Sequence, residues 1–398
     1  MTVSNNNHNN NNRRSLADRL MDPSRPVFLL GDVPPAAGTA PGKRLEIAQK
    51  FARRSRTLAT DGFIVYDIQD EPGRAADIAR PFPFRQLSDS TDYAQLLRNT
   101  ARQECLVYKC VADAEFDAWL DKTARTTTPV NLVGRATSNA DYVGPTLPQA
   151  LEKVAQRNIP FGNVCIAERH TLEAAAARGK EYPTEHLNMM RKQKAGAAWF
   201  VSQAVYDAEP TIRLLRDYAA TCRQEHVAPR RVVLTFCPVS RLKTMQFIQW
   251  LGVRVPDQIQ DEILQAKHPV EQSIQILCQH LETILQATAG LGVPLGINCE
   301  SVSIFKAEID GVHELFRRLQ GILLDARGSP WHVTWMQAEE SLAMKCGSIQ
   351  QQKEEKGILI QANHGGDLTP MQATVVGIIL GGVAMAVGFT MGSRAQLR

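Results

Sequence analysis

The sequence lacks the local patterns by which several classes of protein are recognised. Its eight cysteines are scattered and form no CxxC or CxxH pair, so neither a zinc framework nor a disulfide-stapled fold is expected. No GxGxxG motif follows the first apolar run, which argues against a dinucleotide-binding Rossmann domain. We therefore predict reduced thiols, no metal site and a fold of another kind.

A strong charge imbalance is also lacking. The formal net charge is +4, from 45 Lys and Arg against 41 Asp and Glu, and no basic stripe with interleaved aromatic residues is present. We therefore expect no nucleic-acid partner. The chain of 398 residues is 44% hydrophobic, which is typical of a globular enzyme with a large core.

The N-terminal segment has few apolar residues. Residues 1–20 begin with an Asn-rich tract, which cannot bury enough apolar surface to fold, and they lack the apolar stretch of a secretory signal. The sequence predicts a disordered tail over 1–20.

Charge is missing from residues 373–392, which are almost entirely apolar. At about 1.5 Å per residue, a helix of this length spans the roughly 30 Å hydrocarbon layer. We predict a C-terminal apolar helix that acts as a transmembrane tail anchor, with the barrel facing the cytosol and a mitochondrial outer or peroxisomal membrane favoured. A buried helix of the soluble domain is the alternative. Residues 326–370 are interpreted as an extension and linker.

Between these ends, short apolar runs alternate with amphipathic segments. Eight runs are candidate strands: 26–31, 62–67, 105–109, 129–134, 162–167, 198–203, 231–236 and 293–298. The segments between them, such as 147–157 and 211–224, have the apolar spacing of helices. Continuous apolar strands separated by helices indicate a parallel sheet buried on both faces. The predicted fold is therefore α/β, a single (β/α)₈ TIM-type barrel over 26–325.

Active sites of such barrels lie at the carboxyl ends of the strands. The polar residues at these ends are therefore the candidates for chemistry: Asp32, Asp67, Lys109, Arg135, Glu168, His170, Gln203, Ser240, Asn298 and Glu300. Each one alone could equally be a cap or a loop contact.

Two further features bear on ligand binding. The amide of Gln203 offers donors and an acceptor that suit the edge of a pterin or flavin, or it satisfies a loop backbone. Glu185, Asn188 and Lys192 share one face of a predicted helix, as a merely solvated face also would.

The stretch from Asn188 to Asp207, NMMRKQKAGAAWFVSQAVYD, resembles the methylenetetrahydrofolate reductase family. That family has an aspartate, an asparagine and a lysine on a helix leading into K-x-x-AGA, followed by a strand that ends in TQxxxD. Glu185, Asn188 and Lys192 occupy the helix positions, and Gln203 lies at the strand end. The similarity extends over about residues 26–319.

The resemblance implies roles for these residues. Glu185, Asn188 and Lys192 would hold the ribose and phosphates of FAD, and Gln203 would contact both the pterin and the flavin. His170 falls near the histidine of the family's P-E-x-H motif and becomes a further cofactor-binding candidate.

The departures from the family fall on its catalytic positions. The acidic proton donor of the first strand is replaced by Gly31, with Asp32 one residue displaced. The aspartate near the flavin ring is replaced by Arg135, a change that favours an anionic reduced ring. Either the site takes hydride directly from nicotinamide, or catalysis has been lost. The candidate catalytic residues are Asp32, Arg135, Gln203 and Glu300.

Three functions remain open at this point. The first is a reductase that passes hydride from NAD(P)H to a methylene-type tetrahydrofolate, with or without FAD, with Asp32 or Glu300 supplying the proton. The second is a noncatalytic, membrane-held barrel that binds folate or a protein. The third is a folate-linked methyltransferase, since fold does not fix chemistry. The oligomeric state is left open, with a homo-oligomer among the alternatives.

Overall fold

The computed structural model describes residues 14–70, 79–126, 128–134 and 143–326. Eight parallel strands close into a barrel in which each strand pairs with its neighbours in chain order and β1 pairs with β8. The strands are β1 Phe28–Asp32, β2 Gly62–Val65, β3 Cys105–Cys110, β4 Val130–Val133, β5 Phe161–Cys165, β6 Trp199–Ala204, β7 Arg231–Phe236 and β8 Leu295–Cys299.

Helices surround the strands. They are α1 Leu16–Met21, α2 Pro41–Ser55, α3 Ser90–Ala101, α4 Phe116–Thr123, α5 Leu147–Gln156, α6 Leu172–Ala176, α7 Glu185–Lys194, α8 Ala208–Gln224, α9 Leu242–Trp250, α10 Asp257–Leu264, α11 Pro269–Ala287 and α12 Lys306–Asp325. Every predicted strand overlaps an observed one, and the predicted closed parallel barrel is confirmed.

The alternation of side chains along each strand creates two cores. Residues such as Leu29, Leu106 and Val233 point into the barrel, whereas their neighbours, such as Leu30 and Val107, pack under the helices. This alternation decides which strand-end residues lie in the barrel mouth and which lie against a helix.

Helix α1 fills the amino-terminal end of the barrel. Leu16 and Leu20 are fully buried among the inward-facing strand residues, and Ser15 and Asp18 form a capping box at the start of the helix. The guanidinium of Arg231 donates to the carbonyl of Leu20 over 2.9 Å. The predicted disorder up to residue 20 is therefore wrong from Ser15 onward, because two leucines four residues apart are enough to plug the barrel.

The other terminal predictions lie outside the described residues. Residues 1–13, the extension over 327–370 and the predicted apolar helix 373–392 all belong to this part of the chain. In the part that the structure describes, no helix is long and apolar enough to cross a membrane.

Candidate functional site

The missing side chain of Gly31 makes space for Glu300 in the barrel mouth. A Cβ atom placed on Gly31 would lie 2.9 Å from Glu300 Cβ, 2.9 Å from Tyr66 Cε2 and 3.2 Å from Glu300 Oε2. Gly31 is on β1, and Glu300 directly follows β8, the strand paired with β1. A carboxyl group from the neighbouring strand thus lies beside the position where a side chain on β1 would begin.

Glu300 belongs to a small polar network. Asn298 Nδ2 donates to the Tyr66 hydroxyl over 2.9 Å and lies 3.4 Å from both Glu300 Oε2 and Thr235 Oγ1. Burial raises the pKa of the Glu300 carboxyl above its usual value, and hydrogen bonds from Tyr66 and Asn298 oppose this shift. A carboxyl group with a raised pKa retains its proton to higher pH and is suited to act as a general acid.

An aromatic wall flanks the carboxyl group. The rings of Tyr66 and Tyr108 pack edge to face with centroids 4.8 Å apart. Burial, with the nearby charge of Glu300 as the second cause, keeps the pKa of Tyr66 well above its ordinary value. Sequence reasoning missed Tyr66 and Tyr108, although alternation with the inward-facing Ile64 and Leu106 could have identified them.

Asp32 does not reach this network. The strand alternation that turns Gly31 inward turns Asp32 outward, where its Oδ2 accepts a 2.9 Å hydrogen bond from the hydroxyl of Tyr93 on α3. Burial raises the pKa of Asp32 to about 7, opposed by that hydrogen bond. The structure does not bring Asp32, predicted to supply a proton, into the mouth network, because its carboxyl group faces the helix layer.

Gln203 lies at an irregularity of β6. The pairing register with β7 shifts between Val201 and Ala204, and Gln203 Nε2 donates to the carbonyl of Leu251 over 2.7 Å. The amide therefore ties the end of α9 to the barrel. Among the described residues this is the one hydrogen bond of the side-chain amide, and its carbonyl oxygen and second N–H have no partner there.

Aromatic rings continue from Leu251 along α9. Phe247 and Trp250 stack with centroids 6.1 Å apart, and Phe82, from the segment after β2, packs against Phe247 at 5.3 Å. The guanidinium of Arg80 lies 4.7 Å from the centre of the Trp250 ring. Flat rings and a cation thus adjoin the strand end that carries Gln203. The sequence PFPF before Arg85 could have indicated this aromatic cluster, but it was not interpreted in that way.

Glu168 is a second carboxyl group with a raised pKa. It belongs to the 3₁₀ turn Ala167–Arg169 after β5, and burial, with the charge of Asp207 as a further cause, raises its pKa to about 7. Its Oε2 is buried and has no hydrogen-bond partner in the described ranges. Asp207 itself lies 3.7 Å from Arg254 Nε.

Helix α7 brings Glu185, Asn188 and Lys192 together on one face, as their spacing predicted. Glu185 accepts from the N–H of Ile166 over 3.2 Å and from Asn188 Nδ2 over 2.9 Å, and Lys192 Nζ donates to the carbonyl of Val164 over 2.7 Å. These bonds fasten α7 to the carboxyl end of β5.

Of the three residues that the resemblance assigns to FAD binding, Lys192 is not open to a pyrophosphate. The ammonium of Lys192 is bonded to a strand carbonyl, and burial lowers its pKa, with the nearby charge of Glu185 opposing the shift. Lys192 is therefore not available to a phosphate, whereas Arg191 on the same helix is exposed and donates to Asn188.

Other strand-end candidates also contact helices or loops. Lys109 forms an ion pair with Asp113, and Asp67 accepts from the N–H of Cys110 over 2.9 Å. Ser240 donates to Glu308 over 2.9 Å. Arg135 lies outside the described residues.

His170 is not brought into the mouth network. Its Nε2 lies 2.8 Å from Asp217 Oδ2 on α8, and its ring packs edge to face against His186 on α7. The cofactor-binding role predicted for His170 is not supported by this placement, since its partners are helix residues behind β5.

The central part of the chain is similar in sequence to a known protein family. Residues 162–294 match the model of the methylenetetrahydrofolate reductase family. The resemblance is thereby confirmed over β5 to the segment before β8, whereas Gly31 and Glu300 lie outside the matched residues. No curated protein matches this chain.

The fold also has solved relatives. An uncharacterized protein from Clostridium thermocellum that binds two copies of 5-methyl-5,6,7,8-tetrahydrofolic acid aligns with a TM-score of 0.62 and 23% identity, covering 77% of this chain and 99% of that chain. At this identity the likeness shows the barrel fold. The dihydropteroate synthase of Yersinia pestis aligns with a TM-score of 0.39 and 13% identity over 77% of this chain and 95% of that chain, too distant to support an argument.

Proposed function

We propose that the mouth of the barrel binds a reduced folate and that the protein reduces a methylene-type tetrahydrofolate with hydride from NAD(P)H. The observation that carries this proposal is the Glu300 carboxyl group, which has a raised pKa and lies in the space left by Gly31. The family match over 162–294 supports the folate chemistry, and the solved relative that binds 5-methyltetrahydrofolic acid supports the ligand class.

The reaction needs one proton and one hydride. Protonation at N10 breaks the bond between N10 and the bridging methylene, which leaves a cationic iminium at N5. Hydride from the dihydronicotinamide then adds to the methylene carbon, so the folate gains a 5-methyl group and the nicotinamide is oxidised. Glu300 would supply the proton to N10, and Tyr66 and Asn298 would hold the carboxyl group in position.

Two kinds of contact would hold the pterin ring of the folate. The remaining donor and acceptor of Gln203 suit the polar edge of a pterin, and the ring of Tyr66 suits a flat aromatic group. Because Lys192 is bonded to the carbonyl of Val164, the hydride transfer is proposed without a flavin.

A noncatalytic folate-binding barrel is the second candidate. The observation that favours it is the bond from Lys192 to the carbonyl of Val164, since a protein that only senses folate needs no lysine for the phosphates of a flavin. This candidate predicts binding of 5-methyltetrahydrofolate without any oxidation of NAD(P)H.

The test combines binding and turnover on one purified preparation. Calorimetry with 5-methyltetrahydrofolate measures binding, and the loss of NADH or NADPH absorbance with methylenetetrahydrofolate measures turnover. The proposal expects a colourless protein that binds folate and oxidises one of the two nucleotides. Flavin released on denaturation would contradict the flavin-free route, binding without oxidation would favour the second candidate, and no binding would refute both.

A further inference from the structure

Two histidines and an aspartate meet behind β5, away from the mouth network. His170 ends the 3₁₀ turn after β5, His186 lies in the first turn of α7, and Asp217 lies in the middle of α8. One potential ligand atom from each residue lies within 4.8 Å of the other two. His170 Nε2 and Asp217 Oδ2 are the closest pair, at 2.8 Å.

The two imidazoles are incompletely bonded. His170 is 1% exposed, and its Nδ1 has no hydrogen-bond partner in the part of the chain that the structure describes. The Nδ1 atom of His186 is likewise buried and without a partner among the described residues. Buried polar atoms in native proteins are nearly always satisfied, so the unpartnered Nδ1 of His186, beside the His170–Asp217 pair, indicates an additional ligand.

We propose that His170, His186 and Asp217 form a binding site for a divalent transition-metal ion of the zinc type. Two imidazoles and one carboxylate are a donor set that zinc accepts, with a fourth position left for water. No local sequence motif identifies the site, because His186 lies 16 positions after His170 and Asp217 lies 31 positions after His186. The prediction from sequence that the protein holds no metal site was based on cysteine spacing, which these residues do not involve.

The geometry requires little rearrangement to hold an ion. Ligand atoms about 2.0–2.1 Å from a tetrahedral zinc lie about 3.3 Å from one another. His170 Nε2 and Asp217 Oδ2 already approach this separation at 2.8 Å, and all three ligand atoms lie within 4.8 Å of one another. The Asp217 side chain is 55% exposed, which gives an ion and its water a route from solvent.

An ion at this position would join three elements around β5. It would link the turn after β5 to α7 and α8, and α7 is also the helix whose Glu185 bonds the backbone of Ile166. The site would therefore stabilise the packing of α7 on the barrel wall. This role is independent of the proposed reduction, because none of the three ligands belongs to the Glu300 network.

Equilibrium dialysis of the metal-free full chain against Zn²⁺ alone tests the site. The expected result is one ion per chain, with affinity reduced about tenfold or more in His186→Asn and in Asp217→Asn. Asp217→Asn is the sharper variant, because an amide oxygen can still accept from His170 and so preserves a purely structural hydrogen bond. His280→Asn is the matched control, since His280 also has a buried nitrogen without a partner in the described ranges but no second histidine beside it.

Co²⁺ in place of Zn²⁺ identifies the ligands. Visible d–d bands without a thiolate-to-cobalt charge-transfer band would support imidazole and carboxylate ligation, and a charge-transfer band would assign the ion to cysteines and overturn the proposal. Absence of binding, or equal affinity in the wild type and in Asp217→Asn, would also overturn it. Zn²⁺ should raise the melting temperature of the wild type and of His280→Asn, but not that of Asp217→Asn.

Discussion

Gly31→Ala is expected to destabilise the protein because Glu300 occupies the space that the new methyl group needs. The added Cβ would lie 2.9 Å from both Glu300 Cβ and Tyr66 Cε2, closer than such atoms approach without a shift. Inserting a methyl group into a packed interior costs about 1–3 kcal/mol. The reduced entropy of the unfolded chain returns about 0.4–1 kcal/mol. The net loss in the free energy of unfolding is therefore roughly 0.5–2 kcal/mol.

A double-mutant cycle shows whether Glu300 is the cause. In Glu300→Gly, the contacts of the new methyl group with Glu300 Cβ and Oε2 disappear, and Tyr66 Cε2 remains. Gly31→Ala should then cost about 1 kcal/mol less than in the wild type, which exceeds the roughly 0.3–0.5 kcal/mol scatter of independent sites. Gly134→Ala is the matched control, because among the described residues the atom nearest to its new methyl group would be in Leu147, 3.5 Å away.

Urea denaturation followed by circular dichroism measures all five chains of this experiment. A coupling free energy of about 1 kcal/mol between positions 31 and 300 would support the claim that Glu300 occupies the space beside Gly31. Additive effects, or a Gly134→Ala variant as unstable as Gly31→Ala, would contradict this claim. The cost of Gly31→Ala would then not come from contact with Glu300.

Four further predictions concern other parts of the chain. Because the folded pKa of Asp32 is about 7, above its ordinary value of 3.8, stability falls as pH rises through that window, and thermal melts of Asp32→Asn should show a weaker fall. Gln203→Ala should weaken folate binding by about 1 kcal/mol or more in calorimetry, and unchanged affinity would remove this amide from the site. Leu16→Ala should lower the free energy of unfolding by about 2–5 kcal/mol, because the side chain is fully buried under the barrel. The anchor predicted at 373–392 stays a prediction: a chain truncated after Thr369 should leave carbonate-washed membranes while the full chain stays with them, and pelleting of the truncated chain would contradict it.

The barrel was predictable because its signal repeats along the chain. Each strand is buried on both faces, so each appears as a short apolar run, and the intervening segments have helical spacing. Helix α1 was missed because six residues give too short a pattern, and the Asn-rich tract before it dominated the composition.

The site was less predictable because it depends on which way each strand-end residue points. Asp32 and Glu300 are both carboxylates next to a strand end, and sequence reasoning treated them as alternative proton donors. The pleat turns Asp32 toward Tyr93 and leaves the space beside Gly31 to Glu300. That choice requires the pairing of β1 with β8, which brings together residues at opposite ends of the barrel sequence.

The residues around β5 show a different limit of prediction from sequence. The spacing of Glu185, Asn188 and Lys192 correctly predicted a shared helix face, but not that this face bonds the backbone of β5. The meeting of His170 with Asp217 depends on the packing of α8, which no local pattern specifies.

The pH dependence of NAD(P)H oxidation with methylenetetrahydrofolate, compared between the wild type and Glu300→Gln, shows most directly whether Glu300 supplies the proton. Turnover by the wild type should fall as pH rises above the elevated pKa of Glu300. Glu300→Gln should retain 5-methyltetrahydrofolate binding and lose about 10²–10⁴-fold in rate, together with that pH dependence. Equal rates and equal pH profiles for the two proteins would contradict the claim that Glu300 supplies the proton, and an inactive wild type would contradict the reduction itself.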